Sequence, residues 1–190
     1  GVEPNQKLIG KISYRIFDGK YIYYDENLVE RARKNVMKNY IEPNNFGLIC
    51  KKGGIEPLSS PVFITRNISE FRYWSRSGMQ GGDYSLPLYT YPDSNDLLAE
   101  TTRTPNLNMQ IVSTIAQGLG LSFTAEKTDA TNSFAPIDLL DYIYAVLHSP
   151  SYRETYKEFL KIDFPRVPYP SDVAQFWQLV ALGGELRQLH

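Results

Sequence analysis

Residues 138–170, DLLDYIYAVLHSPSYRETYKEFLKIDFPRVPYP, join two strong helix patterns to a run of prolines. In the first part, apolar side chains recur at helical spacing between Pro136 and His148, and a cation such as His148 suits the end of a helix. Ser149 is then expected to cap a second helix, with Pro150 in the first turn, where a missing N–H costs nothing. This stretch therefore predicts a helical C-terminal part.

The prolines at positions 165, 168 and 170 cannot continue that helix. They predict an extended segment lying across a surface, and we call residues 164–170 the proline strap. Ser171 or Asp172 is expected to cap a final helix, which Gly183 and Gly184 weaken locally.

Upstream, the pattern changes from helical to alternating. From Ile12 onward, LIGKISYRIF (residues 8–17) places Lys11, Ser13 and Arg15 on one face of a predicted strand. Asp18-Gly19 predicts a turn, and residues 21–24 predict the returning strand of a hairpin. Further strands are predicted at residues 46–50, 61–65 and 86–92.

Two more helices are predicted, from Asp25 or Asn27 to about Tyr40, and from Asn106 or Asn108 onward. We therefore expect one α+β domain over residues 2–190, with a mixed or antiparallel sheet in the N-terminal half and a helical C-terminal part that braces it. The sheet-rich part is assigned to residues 2–92, and the mainly helical part with the proline strap to residues 93–190.

Composition limits the class of protein. The 190-residue chain is long enough for a substantial core, and its aromatic content of 13% is mostly tyrosine. Cys50 is the single cysteine, so no internal disulfide is possible and a cytoplasmic location is expected. No apolar run has the length of a membrane span, and no signal-peptide pattern opens the chain.

The net charge of −1 hides an asymmetry along the chain. Residues 1–80 contain 13 basic and 8 acidic side chains, whereas residues 81–190 contain 7 and 13. The first part is therefore the candidate for binding a polyanion, with an ordinary fluctuation of surface charge as the alternative.

Four blocks resemble one known family, in the family's order. YIYAVLHSPSYRETYKEFLKIDFPRVPYP and FWQLVALGGELRQLH, at residues 142–170 and 176–190, resemble the C-terminal target-recognition domain of type ISP restriction-modification enzymes and related single-chain DNA adenine methyltransferases. YRIFDGKYIYYDENLVERARKNVMKNY and LPLYTYP, at residues 14–40 and 86–92, resemble upstream blocks of that domain. Lys20 departs from the family's arginine, which keeps the charge but loses the planar fork.

The resemblance implies recognition of duplex DNA by a domain without catalysis of its own. It also implies a separate upstream methyltransferase domain in the same polypeptide, which modifies adenine and binds S-adenosylmethionine. No cofactor or metal is expected in the present chain.

Residues that suit DNA contact are concentrated upstream. Phosphate binding needs Lys and Arg spread along a face, whereas base reading needs side chains of fixed geometry, such as Arg on guanine and Asn or Gln on adenine. The predicted phosphate contacts are Arg15, Lys20, Arg31, Lys34, Lys38, Lys51 and Lys52. The predicted base-reading residues are Arg66, Asn67, Arg72, Tyr73, Arg76 and Gln80.

Structural alternatives exist for several of these residues. Arg15 and Asp18 are equally suited to a structural ion pair, and the arginines of residues 66–85 are equally suited to stacking on Tyr73 and Trp74. Arg31, Lys34 and Lys38 share one side of the predicted helix by their spacing, so this helix is predicted to offer a basic ridge.

The sequence contains no nucleotide-binding glycine motif, and two histidines and one cysteine cannot supply a typical zinc site. Two other classes of function remain as alternatives. One is a protein-docking module that uses the tyrosines and the proline strap, and the other is a small-molecule enzyme with a site assembled from dispersed residues.

Overall fold

The computed structural model describes residues 5–25, 27–41, 44–55, 60–74, 82–92 and 102–190. The fold is α+β, as predicted, with small sheets in the first half and helices in the second. The strands are β1 Ile9–Arg15, β2 Asp18–Tyr23, β3 Gly47–Cys50, β4 Val62–Thr65, β5 Ile68–Ser69, β6 Tyr84–Pro87, β7 Tyr89–Thr90, β8 Thr104–Pro105, β9 Ser122–Phe123 and β10 Ser133–Phe134. The helices are α1 Lys34–Met37, α2 Met109–Leu119, α3 Pro136–His148, α4 Pro150–Thr155, α5 Lys157–Leu160 and α6 Val173–Leu189, with 3-10 turns at Gln6–Leu8 and Lys38–Tyr40.

The first sheet has the strand order β2-β1-β5. Strands β1 and β2 form the predicted antiparallel hairpin, and β5 runs parallel to β1, with Ile68 beside Ile12. The turn prediction at Asp18-Gly19 was wrong, because Asp18 already pairs with Arg15 at the start of β2. Phe17 instead makes the turn and has a φ of 59°, a left-handed conformation that is uncommon for a bulky side chain.

The predicted helix that ends near Tyr40 is confirmed only over its last turns. Helix α1 begins at Lys34, because Arg31 and Arg33 have φ values of 55° and 49° and cannot belong to a right-handed helix. Tertiary contacts hold this segment, since the Arg33 guanidinium donates to the backbone oxygen of Ser69 at 3.0 Å and Tyr24 donates to that of Ala32. Arg31, Lys34 and Lys38 therefore do not form a ridge on a single helix.

The second sheet has the antiparallel order β4-β3-β6, and the remaining strands form the two-stranded pairs β7-β8 and β9-β10. Asn45 connects the second sheet to β7, because its side chain donates to the backbone oxygen of Tyr89 at 2.8 Å and accepts from the Tyr89 N–H at 3.2 Å. Buried polar groups are thus satisfied where the two sheets meet.

The helix boundaries of the second half follow the capping residues. The Asn108 side chain accepts from the first turn of α2, and Gly120 ends that helix in the left-handed conformation. Asp172 caps α6 in the same way. The predicted helix after Ser149 is present but divided into α4 and α5, because Tyr156 leaves the helical region.

The main core joins the second sheet to the helices. Phe134, Tyr144 and Phe176 are fully buried at its centre, and it extends to Val62 of β4. A smaller cluster of Tyr24, Met37, Tyr40 and Ile68 lies under the first sheet. The helical part therefore braces the second sheet, as the sequence predicted.

Helices α3 and α6 pack at close range. A Cβ atom at Gly183 would lie 1.9 Å from the backbone oxygen of Asp141, so only glycine allows this approach. The proline strap has neither helix nor strand, and it crosses α3 and α4. Tyr142 donates to the backbone oxygen of Pro168 at 3.0 Å, and Tyr152 donates to that of Arg166 at 2.7 Å.

Candidate nucleic-acid interface

A groove of about 400 Å³ lies between the β1–β2 hairpin, the turn after β4 and the end of α6. We call it the basic groove, because four cationic side chains line it and Asp18 is its acidic residue. Those cationic side chains are Lys11, Arg15, Arg66 and Arg187.

Strand geometry brings these groups together. Lys11, Ser13 and Arg15 point to one face of β1 because side chains alternate along a strand. The Ser13 and Thr65 hydroxyls share a hydrogen bond of 2.9 Å, which holds the end of β4 beside β1. The turn that carries Arg66 and Asn67 is thereby placed against the hairpin.

The charges of the groove are only partly compensated. Arg15 pairs with Glu70 at 2.9 Å on the surface, and Arg187 donates to both carboxylate oxygens of the buried Asp141 at 2.6 and 3.0 Å. Within the part of the chain that the structure describes, no carboxylate pairs with Lys11 or Arg66. The groove is therefore electropositive and suited to an anionic ligand.

Phe46 connects two of the arginines. The guanidinium carbon of Arg66 lies 4.2 Å from the centroid of its ring, and that of Arg187 lies 4.7 Å from the same centroid. Both distances are within the range of cation–π contact.

The rim of the groove contains aromatic groups. Phe17 is 72% exposed at the hairpin turn, and its ring packs edge-on against His190 at 5.3 Å. The Tyr144 hydroxyl is hydrogen-bonded to Nδ1 of His190 at 2.5 Å, and burial raises the pKa of that hydroxyl. The end of α6 is thereby attached to both the hairpin and α3.

The structure separates the predicted base-reading residues. Arg66 and Asn67 line the basic groove, whereas Arg72 is exposed at a different hollow beside Arg31 and Arg33. Tyr73 also borders the basic groove, but it is only 5% exposed and packs edge-on against Phe63. Arg76 and Gln80 lie outside the described residues.

The predicted phosphate contacts are also dispersed. Arg15 is in the basic groove. Lys20 is exposed and lies over the Tyr14 ring at 3.8 Å, and its ammonium is 3.9 Å from Asp18. The alternative ion pair of Arg15 with Asp18 is absent, because each has another partner.

Of the remaining predicted contacts, Arg31, Lys34 and Lys52 are exposed, and Lys38 is half-buried. Lys51 is only 5% exposed, and water and phosphate have little access to it. Lys51 is therefore removed from the candidate set on grounds of burial.

Among the groove residues that sequence reasoning missed are the cationic side chains of Lys11 and Arg187, together with His190. The alternation of Lys11, Ser13 and Arg15 is visible in the sequence and was a usable signal for Lys11. No sequence pattern places Arg187 beside β1, because that proximity depends on how α6 packs.

The described residues contain no cluster of His, Cys, Asp and Glu that could hold a metal ion. Cys50 is buried, and desolvation raises the pKa of its thiol to about 11, so the reactive thiolate is disfavoured. None of the described helices is both long and apolar enough to span a membrane.

A second cleft is apolar. It lies between α2, α3 and the proline strap, and its walls include Ile111, Ile115, Leu139 and Val167. It contrasts with the basic groove in having no charged side chain in its lining.

Comparison with known proteins identifies relatives of this fold. The family model described as "Type ISP C-terminal specificity domain" matches residues 2–190. No curated protein shows a significant match to the chain.

Solved structures match across nearly the whole chain. The ATP-dependent type ISP restriction-modification enzyme LlaBIII bound to DNA has 17% identity and a TM-score of 0.70, and the match covers 98% of this chain and 11% of that one. The DrdV–DNA complex has 24% identity and a TM-score of 0.70, with coverages of 100% and 16%. A nuclease-deletion mutant of the type ISP enzyme LlaGI with a DNA substrate mimic has 23% identity and a TM-score of 0.61, with coverages of 96% and 11%.

Proposed function

Because this chain belongs to the family of type ISP C-terminal specificity domains, we propose that it recognises a short sequence in duplex DNA on behalf of a restriction-modification enzyme. The observation that carries the proposal is the basic groove, where Lys11 and Arg66 have no carboxylate partner among the described residues. Duplex DNA is the polyanion that such a surface suits, and two of the solved relatives are described as DNA-bound.

Within this proposal, the two kinds of contact are divided between different side chains. Lys11 and Arg15 on β1 bind phosphates. Such contacts fix the orientation of the duplex but carry no sequence information. Arg66 and Asn67 read base edges, since Arg suits guanine and Asn suits adenine in the major groove. Arg72, Arg76 and Gln80 remain candidate readers from the sequence, and Lys20, Arg31, Lys34, Lys38 and Lys52 remain candidate phosphate contacts.

The proposed parent protein is larger than this chain. The chain spans only 11–16% of the three solved relatives. We infer that catalysis belongs to other domains, among them an upstream methyltransferase that binds S-adenosylmethionine and modifies an adenine. The present domain selects the site and presents it to that neighbour.

Selection from a randomised duplex pool tests this function, with sequencing after rounds at low and at physiological salt. We expect one short motif to be enriched, with an affinity that falls steeply as salt rises. Replacing Arg66 by alanine should relax one position of the motif, whereas Lys11→Ala should weaken binding to all sequences about equally. No binding even at low salt would overturn the proposal.

The apolar cleft favours a second candidate function, docking to another domain. In this case the cleft between α2, α3 and the proline strap receives apolar side chains of the neighbour, and the basic groove is incidental. This reading predicts a stable complex with an upstream fragment of the same polypeptide and little dependence on salt. Ile111→Asp should abolish that complex and leave DNA selection intact if the two surfaces act separately.

A further inference from the structure

A continuous set of contacts runs from the helical core to the basic groove. Asp141 on α3 is 4% exposed and accepts two hydrogen bonds from Arg187 on α6. The Arg187 guanidinium lies against Phe46, and Arg66 lies against the same ring. We call Asp141, Arg187, Phe46 and Arg66 the arginine column.

The two arginines of the column differ in freedom. The Arg187 side chain is 14% exposed, and its donors are engaged by a buried carboxylate, so its position is fixed. Arg66 is exposed and has no carboxylate partner in the described parts of the chain. Its planar donor group therefore remains available to a ligand, while its guanidinium carbon lies over the Phe46 ring.

The contact with Phe46 restricts the Arg66 side chain before a ligand binds. An unsupported arginine loses much side-chain conformational entropy when it is fixed in one geometry. A guanidinium already held against an aromatic ring loses less of it on binding, and its five donors keep a defined direction. The direction of these donors matters when they read a base edge with two parallel hydrogen bonds, and it matters little for a phosphate contact.

We propose that Phe46 is a positioning residue, which together with Arg187 holds the Arg66 guanidinium in the orientation that reads guanine in the major groove. This inference rests on the proposed function. It names guanine as a base that the domain reads and Phe46 as the residue that positions the arginine that reads it. Arg66 supplies the hydrogen bonds, Phe46 fixes their direction, and Arg187, held by Asp141, contacts the same ring.

The positioning step can be tested without DNA by following the Nε–H signal of Arg66 in heteronuclear NMR of the 190-residue chain. The ring of Phe46 should shift that signal upfield, and Phe46→Leu should move it to the position of a solvated arginine. Phe159→Leu is the matched control, because Arg166 stacks on Phe159 at 5.0 Å away from the groove. An Arg66 signal that is unaffected by Phe46→Leu would overturn the positioning role.

The reading step is tested by duplex selection with three proteins, the unaltered chain, Arg66→Lys and Phe46→Leu. Arg66→Lys keeps the charge at an exposed position and removes the fork, so preference for guanine at one position should fall about tenfold. Phe46→Leu should lower the same preference about fivefold, at the same position. Thermal unfolding checks that both variants are folded. If Phe46→Leu does not fold, Arg66→Lys alone tests the reading role.

The outcomes separate this inference from the function on which it rests. If the unaltered chain enriches no motif, the proposed function fails, and the reading role fails with it. If a motif is enriched but Arg66→Lys leaves every position unchanged, recognition stands and the assignment of guanine to Arg66 is overturned. If Arg66→Lys relaxes a position that Phe46→Leu leaves intact, Arg66 reads the base without help from Phe46.

Discussion

The helical part and the basic groove differ in how completely their cations are paired with carboxylates. Between residues 102 and 190, basic side chains other than Arg153 have a carboxylate partner within 4 Å. Those pairs are Arg103–Glu126, Lys127–Asp138, Lys157–Glu154, Lys161–Glu158, Arg166–Asp163 and Arg187–Asp141. In the groove, by contrast, Lys11 and Arg66 have no such partner among the described residues.

This difference gives a physical meaning to the charge asymmetry of the sequence. The acidic excess of the second half is not a single negative surface, because much of it is used locally to neutralise lysines and arginines. The basic excess of the first half includes charges that the fold leaves open to a ligand. Net charge near zero therefore conceals the electropositive groove for which we propose polyanion binding.

The largest expected effect on stability comes from removing the carboxylate of the buried pair Asp141–Arg187. Asp141→Ala leaves Arg187 without its partner, and we expect the free energy of unfolding to fall by about 3 kcal/mol. Glu158→Ala is the matched control, because its pair with Lys161 is on the surface and its loss should leave the unfolding midpoint almost unchanged. Urea denaturation of both variants measures the difference. Equal losses would show that the two pairs are not distinguished by burial.

The second largest effect on stability is expected at the close contact between α3 and α6, beside that pair. Gly183→Ala forces a Cβ against the Asp141 backbone oxygen and separates α3 from α6, at a cost of about 2 kcal/mol. Gly118→Ala on α2 is the control, since no atom lies within 4 Å of its added Cβ, and helix propensity predicts a gain of up to about 1 kcal/mol. The two alanines should therefore shift the urea midpoint in opposite directions. A stabilised Gly183→Ala variant would contradict the close contact.

The third prediction compares how removing a groove lysine and removing a paired lysine change the salt dependence of DNA binding. Lys11→Ala should reduce the slope of log affinity against log salt by about 0.9, because one phosphate contact is lost. Lys157→Ala removes the same charge from a lysine already paired with Glu154, and it should leave the slope unchanged. Fluorescence anisotropy with a labelled duplex over a salt series measures both. Identical slopes in the two variants would mean that the groove is not the binding surface.

The smallest expected effect concerns a paired carboxylate near the surface. The hydrogen bonds from Arg103 lower the pKa of Glu126 below its usual value. An acid with a lowered pKa in the folded state contributes stability above its unfolded pKa, and this contribution disappears as pH falls through the folded pKa. Glu126→Gln should therefore cost less than about 1 kcal/mol at pH 7, discounted for exposure, and a smaller amount at pH 3. Urea titrations at the two pH values check it, and a constant difference would exclude the ion pair as its cause.

Much of the architecture was predictable because local chemistry decides it. Asn108, Gly120 and Asp172 determine helix ends through hydrogen bonds to neighbouring residues, and the alternation along β1 determines which side chains share a face. The helix before Tyr40 was predicted too long, since the left-handed conformations of Arg31 and Arg33 depend on partners elsewhere in the fold.

The site was predictable only in part, for the same reason. The sequence pointed to Arg15, Arg66 and Asn67, and the structure places all three in one groove. Burial of Lys51 and Tyr73, and the arrival of Arg187 from α6, result from tertiary packing that carries no local signature.

The parallel pairing of β1 with β5 has a consequence for the order of folding. Parallel neighbours require a long connection, and Ile12 meets Ile68 only after the intervening chain has been closed into a loop. Local helices form faster than such distant pairings. A partly folded molecule therefore presents its arginines and lysines dispersed along the chain, and the groove is assembled only when folding is complete.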